Sequence, residues 1–307
     1  MSSPQANGSS KATPIIEANP ALQKYYESQE SYIVYEVILR GTHHFGYYAK
    51  DTYWPFPIGP SLKRMEAKLL STLALPAGSQ LLDAGCGFGH VGLYMAKKGM
   101  RVNAIDIIDH HVEKARRNVE LAKLPKGQVT VERMDYQRLE SIASESHDGV
   151  YTLQAMGHAT DPKRAVDGFF RIVRPGGRIA LIEAQRRRSP NEEDGDDELS
   201  RHLRLVNDYT AMPTNEASYE DYFKTLLQEA GFVDVEVEDM SENIRPQLRL
   251  FYSLVLVPWF FIRLLGLEKH FTNMICATSG YEGQPRWRFV AVSATKPGPG
   301  IEAPKTK

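Results

Sequence analysis

The chain has 307 residues, with 37 basic against 38 acidic side chains and a formal charge of −1; no whole-chain field draws it toward nucleic acid. At 42% hydrophobic residues, this length supports one large core, or one core with a smaller cap. The only two cysteines, Cys86 and Cys276, build no disulfide framework. The neighbouring pairs His43-His44 and His110-His111 lack Cys or carboxylate partners at zinc-like intervals, so no metal site is expected.

Residues 1–20 are rich in Ser, Ala, Asn and Pro and carry few large apolar side chains, which predicts a disordered tail. They lack the basic start and apolar run of a secretory signal, and a cytoplasmic location is expected. Residues 21–78 read as an N-terminal helical cap: a helix over 21–39 with an aromatic-aliphatic face, a Gly/Pro/aromatic loop over 41–60, and a helix over 62–73. From 79 to 184 short apolar strands alternate with amphipathic helices. Strands are expected at Ser79–Ala84, Arg101–Ile105, Gln128–Arg133, Gly149–Leu153 and Arg178–Ala184, and helices at His90–Lys98, around Val112–Ala122 and at Ala165–Val173. This rhythm predicts an α/β fold: a Rossmann-like, mostly parallel seven-stranded sheet with helices on both faces.

Beyond Ala184 the rhythm changes. Residues 185–285 read as a lid and substrate region that contains an acidic loop (Ser189–Glu198), a helix over Tyr219–Ala230, a strand at Val233–Glu238 and an apolar stretch over Leu248–Leu265. A last strand is expected over 286–295, and residues 298–307 read as a second disordered tail. The lid is thus an insertion before the last strand.

The chemistry is concentrated in Leu81-Leu82-Asp83-Ala84-Gly85-Cys86-Gly87-Phe88-Gly89, where a strand passes through a glycine turn into a helix. A dinucleotide fingerprint places glycines at positions one, three and six. Here they fall at one, three and five, and position six is the bulky His90. Asp83, two residues ahead of the first glycine, suits a ligand with an ammonium group and no pyrophosphate. Asp106 closes the second strand, followed by Ile107, where a carboxylate can accept ribose hydroxyls. Asp135 and Tyr136 follow the third strand, where they can meet an adenine edge. Three acids at three successive strand ends beside a glycine turn fit S-adenosylmethionine, which carries an amino acid, a sulfonium and an adenosine but no phosphate.

On these motifs, with Arg174-Pro175-Gly176-Gly177 before the fifth strand, Leu81–Ala184 resembles the class I S-adenosylmethionine-dependent methyltransferases. The segments His43-His44-Phe45-Gly46-Tyr47-Tyr48 and Gln154-Ala155-Met156-Gly157-His158-Ala159 resemble the corresponding segments of sterol and tocopherol C-methyltransferases. The resemblance implies a methyltransferase domain over 21–297, with S-adenosyl-L-methionine as cofactor. It also implies that Tyr47 closes over the methionine portion and Gln154 lines the sulfonium pocket. The acidic-aromatic signature that sterol methyltransferases carry upstream of the glycine loop is not evident.

Methyl transfer from a sulfonium needs alignment and exclusion of water, and a base only where the acceptor must lose a proton. His158, after the fourth strand, and Glu183, at the end of the fifth, are the candidate catalytic residues; a packed histidine holding a loop carbonyl is the other reading of His158. The apolar run Leu250–Ile262 reads as a buried cap helix or pocket wall, or as a surface for peripheral membrane contact through 248–265, flanked by Arg245, Arg249, Arg263 and Lys269. At this length, and with Pro258 inside it, the run is too short to span a bilayer. The expected activity is methylation of a hydrophobic small molecule (a polyketide, terpenoid or indole-type metabolite), with oxygen favoured as acceptor. A cyclase or isomerase that retains S-adenosylmethionine and a sterol-type C-methyltransferase are the alternatives, and nucleic acid is not an expected partner.

Overall fold

A computed structural model describes residues 22, 25, 26, 31, 39, 41–187, 198–267 and 270–298. Both expected tails apart from Gly298, most of the helix expected over 21–39 and most of the acidic loop lie outside the described residues. Helix α1 (Ile58–Leu73) buries Leu62, Met65, Leu69 and Leu73, spaced three or four apart on one face. It ends at Ala74, whose left-handed backbone returns its amide to the Leu70 carbonyl.

The core then alternates as the patterning requires: β1 (Gln80–Ala84), α2 (His90–Lys97), β2 (Arg101–Asp106), α3 (Asp109–Leu121), β3 (Val129–Arg133), β4 (His147–Leu153), α4 (Pro162–Ile172) and β5 (Val173–Arg186). Helices α5 (Glu198–Tyr209), α6 (Pro213–Ala217) and α7 (Tyr222–Glu229) precede β6 (Val233–Asp239), and α8 (Ser241–Leu264) and α9 (Thr272–Glu282) precede β7 (Trp287–Thr295). These strands form one seven-stranded sheet in the order β3-β2-β1-β4-β5-β7-β6. The first five are parallel, and β7 runs antiparallel between β5 and β6.

Side chains along each strand alternate between two apolar layers. Leu81, Ala180 and Ile182 join Met65, Leu69 and Phe289 on one face. Leu82, Ile179 and Leu181 join Phe169, Phe223 and Val290 on the other. A sheet buried on both faces explains why its strands read as continuous apolar runs. The strand order reverses between β1 and β4, and the crevice at such a reversal, beyond the carboxyl ends of the strands, is where this architecture takes ligands.

Of the boundaries that differ from expectation, three have a clear physical reason. Strand β5 begins at Val173, ahead of the Pro-Gly-Gly turn, because Val173 pairs with His147 across a register shift before regular pairing resumes at Gly149 and Arg178. Helix α7 starts at Tyr222, since Asp221 adopts a left-handed backbone (φ 66). The largest change is α8, which begins at Ser241 and runs for 24 residues through both Pro246 and Pro258. It is therefore long and apolar enough, by length and composition only, to cross a membrane, and 22% of its most apolar window is buried. The polar first third that sequence patterning leaves out of the helix, with Asn243 and Gln247, is buried against the loop before α1. Helical material follows both β5 and β6, and α9 packs on α8 and α5.

Candidate cofactor site and adjoining cavity

Strand β1 delivers the chain into Gly85, Gly87 and Gly89, with φ of 95°, 52° and 78°, all in the left-handed region that side chains disfavour. Two of these positions also have no room for a Cβ: one at Gly85 would sit 2.6 Å from the Ala155 Cβ, and one at Gly87 would sit 2.5 Å from Nδ1 of His43. The turn is fastened to β2. The amides of Gly85 and Cys86 both donate to the Ile105 carbonyl at 2.9 Å. Asp106 accepts the Gly87 amide at 2.8 Å and the Ile108 amide at 3.0 Å, and His111 stands 3.4 Å from its Oδ1.

Around this turn is a cavity of about 880 Å³, lined by Asp83, Asp106 and Asp135 at successive strand ends, with Gly85, Gly87, Ile107, Tyr136 and Gln154. The expected strand-end set is thus assembled in one place. Burial pushes the Asp83 carboxyl up to about 7. Its Oδ2 is buried and receives no well-formed hydrogen bond among the described residues, although the Tyr151 hydroxyl and the Gly92 amide stand close enough to offset part of the burial, and the backbone beside it is cleared by glycine. An ammonium group fits there, because it would donate to that oxygen and hold it ionised. Burial also acts to raise Asp106, but neighbouring His111 and the two backbone amides outweigh it and leave this carboxyl below its usual range. Asp135 accepts the Gln137 amide at 2.9 Å, and the Tyr136 hydroxyl donates to the Ala155 carbonyl at 2.9 Å, which stiffens the wall opposite the glycine turn.

Two expected cofactor residues do not line the cavity. Tyr47 is half-buried against the core beside α1, with its amide bonded to the Ser61 carbonyl and its own carbonyl taken by Arg64. Gly89 lies behind the turn, where a Cβ would approach that of Ala115 at 3.2 Å, so its work is the close packing of α2 on α3. The loop before α1 instead contributes Thr42, His43 and His44. The His43 ring lies over Gly87, stacks on His111 at 4.9 Å and meets Phe88 edge-on at 4.5 Å. Burial, with His111 next in effect, lowers the His43 pKa well below the ordinary histidine range, so this ring is neutral. His43, His44 and His111 thus form an aromatic wall of the candidate cofactor cavity. In the sequence, only the closeness of His111 to Asp106 points to this wall.

A second cavity, of about 1160 Å³, adjoins the first. Gln154 lines both. It holds a left-handed backbone (φ 57) at the end of β4 and accepts the Phe45 amide at 2.8 Å on its Oε1. The second cavity is walled by Phe45, Leu203, Leu248 and Trp287, with Arg204 and Arg286 among its polar members. It therefore opens where the sulfonium end of the cofactor is expected.

The two candidate bases are already engaged. His158 is buried and lies 3.0 Å from the Ala211 carbonyl through Nδ1 and 3.2 Å from the Tyr26 hydroxyl through Nε2. Burial lowers its pKa, so the neutral ring donates to the carbonyl and accepts from the phenol. Of the two readings of His158, holding a loop carbonyl is the one its geometry matches. Glu183 sits behind the loop, accepting from the Thr152 hydroxyl at 2.8 Å and from the Ala155 and Met156 amides at 3.1 and 3.0 Å. It lines neither cavity and braces the backbone that carries Gln154.

Residues 82–181 match the family described as "Methyltransferase domain". The chain is 71% identical over 236 residues to the S-adenosyl-L-methionine-dependent Diels-Alderase iliD of Neonectria sp., covering 77% of this chain and 91% of that one. It is 54% identical over 280 residues to the S-adenosyl-L-methionine-dependent Diels-Alderase iccD of Talaromyces variabilis, covering 91% and 96%. The crystal structure of the [4+2]-cyclase SpnF superposes with a TM-score of 0.68 at 18% identity over 92% of this chain and 95% of that one, a likeness of fold. These relatives overturn the expected methylation of a small-molecule acceptor: the two that are 71% and 54% identical to the chain carry the name of a cyclising enzyme, and the cyclase alternative is the one they back. The strand-end acids and glycine turn suit the cofactor equally in either chemistry, so they do not separate the two. The chain is an enzyme of the class I S-adenosylmethionine-dependent methyltransferase family, in the branch that holds these Diels-Alderases, and its cofactor is S-adenosyl-L-methionine.

Proposed function

We propose that this enzyme is a cyclase, closing a ring by [4+2] cycloaddition within one hydrophobic, polyene-type small molecule while S-adenosyl-L-methionine stays bound and unconsumed. The observation that carries this reading is the 71% and 54% identity to two Diels-Alderases over most of their lengths. The geometry supports it. A cycloaddition converts two π bonds into two σ bonds, keeps every atom and removes no proton, so it needs no general base. That agrees with both ring nitrogens of His158 and Oε1 of Glu183 being engaged inside the fold, and with Glu183 lining neither cavity.

In such a reaction the protein's main contribution is conformational. A linear chain must be folded so that diene and alkene overlap, and holding reactive groups in that arrangement is worth several kcal/mol. The apolar walls from Phe45, Leu203, Leu248 and Trp287 are suited to fold such a chain. Arg204 and Arg286 can donate hydrogen bonds to a carbonyl conjugated with the alkene, drawing electron density from it. When bound, the cofactor would supply a fixed positive charge to the reaction. Asp83 and Asp106 would hold it, and Gln154, which lines both cavities, sets the boundary between them.

The test is turnover of a linear polyene carrying a diene and an electron-poor alkene, with the full-length protein and S-adenosyl-L-methionine. A cyclic isomer of unchanged mass, without release of S-adenosylhomocysteine, is expected. A product heavier by one methylene, formed with stoichiometric S-adenosylhomocysteine, would overturn the reading.

A further inference from the structure

Helix α8 divides into two halves with different surroundings. Its first half is committed to the fold: Asn243, Ile244, Gln247 and Leu248 are buried, and Gln247 accepts the Gly46 amide at 2.6 Å. Its second half buries only Trp259 and Ile262, against Ile275 and the partly buried Phe271 and Met274. The rest is open. Val257 is 67% exposed, Phe260 63%, Phe261 55% and Leu264 70%, and Leu254, Leu256, Leu265 and Leu267 are exposed as well.

Helical geometry arranges these residues. Arg249, Leu256 and Arg263 are seven apart and share one side of the helix, with Phe260 between the last two. Val257, Phe261 and Leu264 adjoin that side. Arg245, exposed, continues it toward the N-terminus. An apolar band therefore runs from Arg249 past Arg263, with Leu264, Leu265 and Leu267 continuing it beyond the second arginine. Tyr53, Trp54 and Phe56, 69%, 66% and 49% exposed, extend it sideways. Arg249 fastens that loop to the helix, with its guanidinium 4.1 Å from the Tyr53 ring centroid and a hydrogen bond of 2.8 Å to the Tyr53 carbonyl.

We infer that this face docks on the surface of an anionic lipid bilayer, with α8 lying in the interface. Contiguous exposed apolar surface of this kind marks an interaction site. The arginines along the band match anionic headgroups, while Tyr and Trp at its edge suit the headgroup level. On α8 itself the only acid is Glu242, in the first turn and distant from the band. The helix lies in the interface and does not cross it, because its first half and the Trp259–Ile262 side are held by protein.

The experiment is flotation of the full-length protein, loaded with S-adenosyl-L-methionine, with vesicles of phosphatidylcholine alone or of phosphatidylcholine containing about a third phosphatidylserine. Binding to the mixed vesicles is expected, weakened at least tenfold by high salt or by omitting the phosphatidylserine. The triple substitution Leu256→Ser, Phe260→Ser and Leu264→Ser is expected to abolish it while leaving cofactor affinity unchanged. Absence of binding to either vesicle overturns the inference, as does binding that survives the triple substitution. Equal binding to uncharged vesicles overturns its anionic character. If sedimentation shows a dimer that the triple substitution dissociates and vesicles do not compete with, the face belongs to a second copy and the inference fails. Flotation reads no turnover, so its outcome is independent of whether the reaction is a cycloaddition.

Discussion

The backbone amide of Phe45 donates to Oε1 of Gln154 at 2.8 Å, across 109 positions of sequence. This bond latches the loop before α1 onto the residue where the two cavities meet, so cofactor and substrate spaces share one hinge point. Gln154→Leu keeps the bulk of the side chain but leaves the Phe45 amide without its acceptor. A lost hydrogen bond of this kind costs about 1 kcal/mol, or about fivefold in affinity. We expect S-adenosyl-L-methionine to bind about fivefold more weakly by calorimetry, with a larger loss in cyclisation because Phe45 also walls the second cavity. Unchanged turnover would show that the latch is dispensable.

Asp83 gives the cofactor site a pH dependence of defined sign. Burial holds its carboxyl protonated up to about pH 7 in the ligand-free protein, and pairing with the cofactor's ammonium requires that proton to leave. Affinity should therefore rise with pH, approaching tenfold per unit well below 7, and level off above it. Asp83→Asn keeps the shape and removes the charge. At about pH 8 it should weaken binding by roughly 10- to 100-fold, the range of a charge-assisted hydrogen bond, and its affinity should no longer vary with pH. A titration of dissociation constants for both proteins checks this.

Much of this site is legible in the sequence, because its parts are local. A strand end, a glycine turn and an acid at a fixed distance are set by neighbours in the chain, and Asp83, Gly85, Gly87, Asp106, Asp135 and Gln154 all reach one cavity. The loop over 41–48 is different. Which of its side chains faces the cofactor depends on distant partners: the Gly46 amide on Gln247, the Tyr47 amide on the Ser61 carbonyl and the Tyr48 amide on the Asn243 carbonyl. That register turns His43 inward and Tyr47 away. The second cavity is assembled from residues on β5, α5, α6, α8, α9 and β7, and no short pattern encodes such a surface. The reaction was the least legible of all, since the motif around Asp83 reports the cofactor and is silent on what becomes of its methyl group.

Glu183 separates a structural carboxyl from a catalytic one. Burial pushes it up to about 7, above the roughly 4.3 of an unfolded glutamate. Between those values the native state binds the proton more tightly. Its contribution to stability is complete below the unfolded value and is lost as pH climbs through about 7. Glu183→Gln retains an acceptor oxygen for Thr152, Ala155 and Met156 and cannot ionise, so its denaturation midpoint should lack this pH component. Glu183→Ala strands three buried donors and should cost about 3 kcal/mol or more. If Glu183→Gln folded normally and bound the cofactor but abolished turnover, a direct chemical role would have to be restored.

Leu203 offers a way to pull the two cavities apart experimentally. It lines the second cavity from α5 and does not touch the first, and it is only partly buried, so added bulk can enter the cavity without breaking a packed core. Leu203→Trp should fill space that a folded polyene requires. Overlap of diene and alkene is sensitive to small displacements, and a misfit of about 1.4 kcal/mol in the transition state already slows cyclisation tenfold. We expect cyclisation to fall by at least about that factor, while the S-adenosyl-L-methionine dissociation constant stays within about twofold, since no cofactor-lining group has changed. Should cofactor affinity fall in step with turnover, the two cavities would be one site, and the division at Gln154 would have to be redrawn.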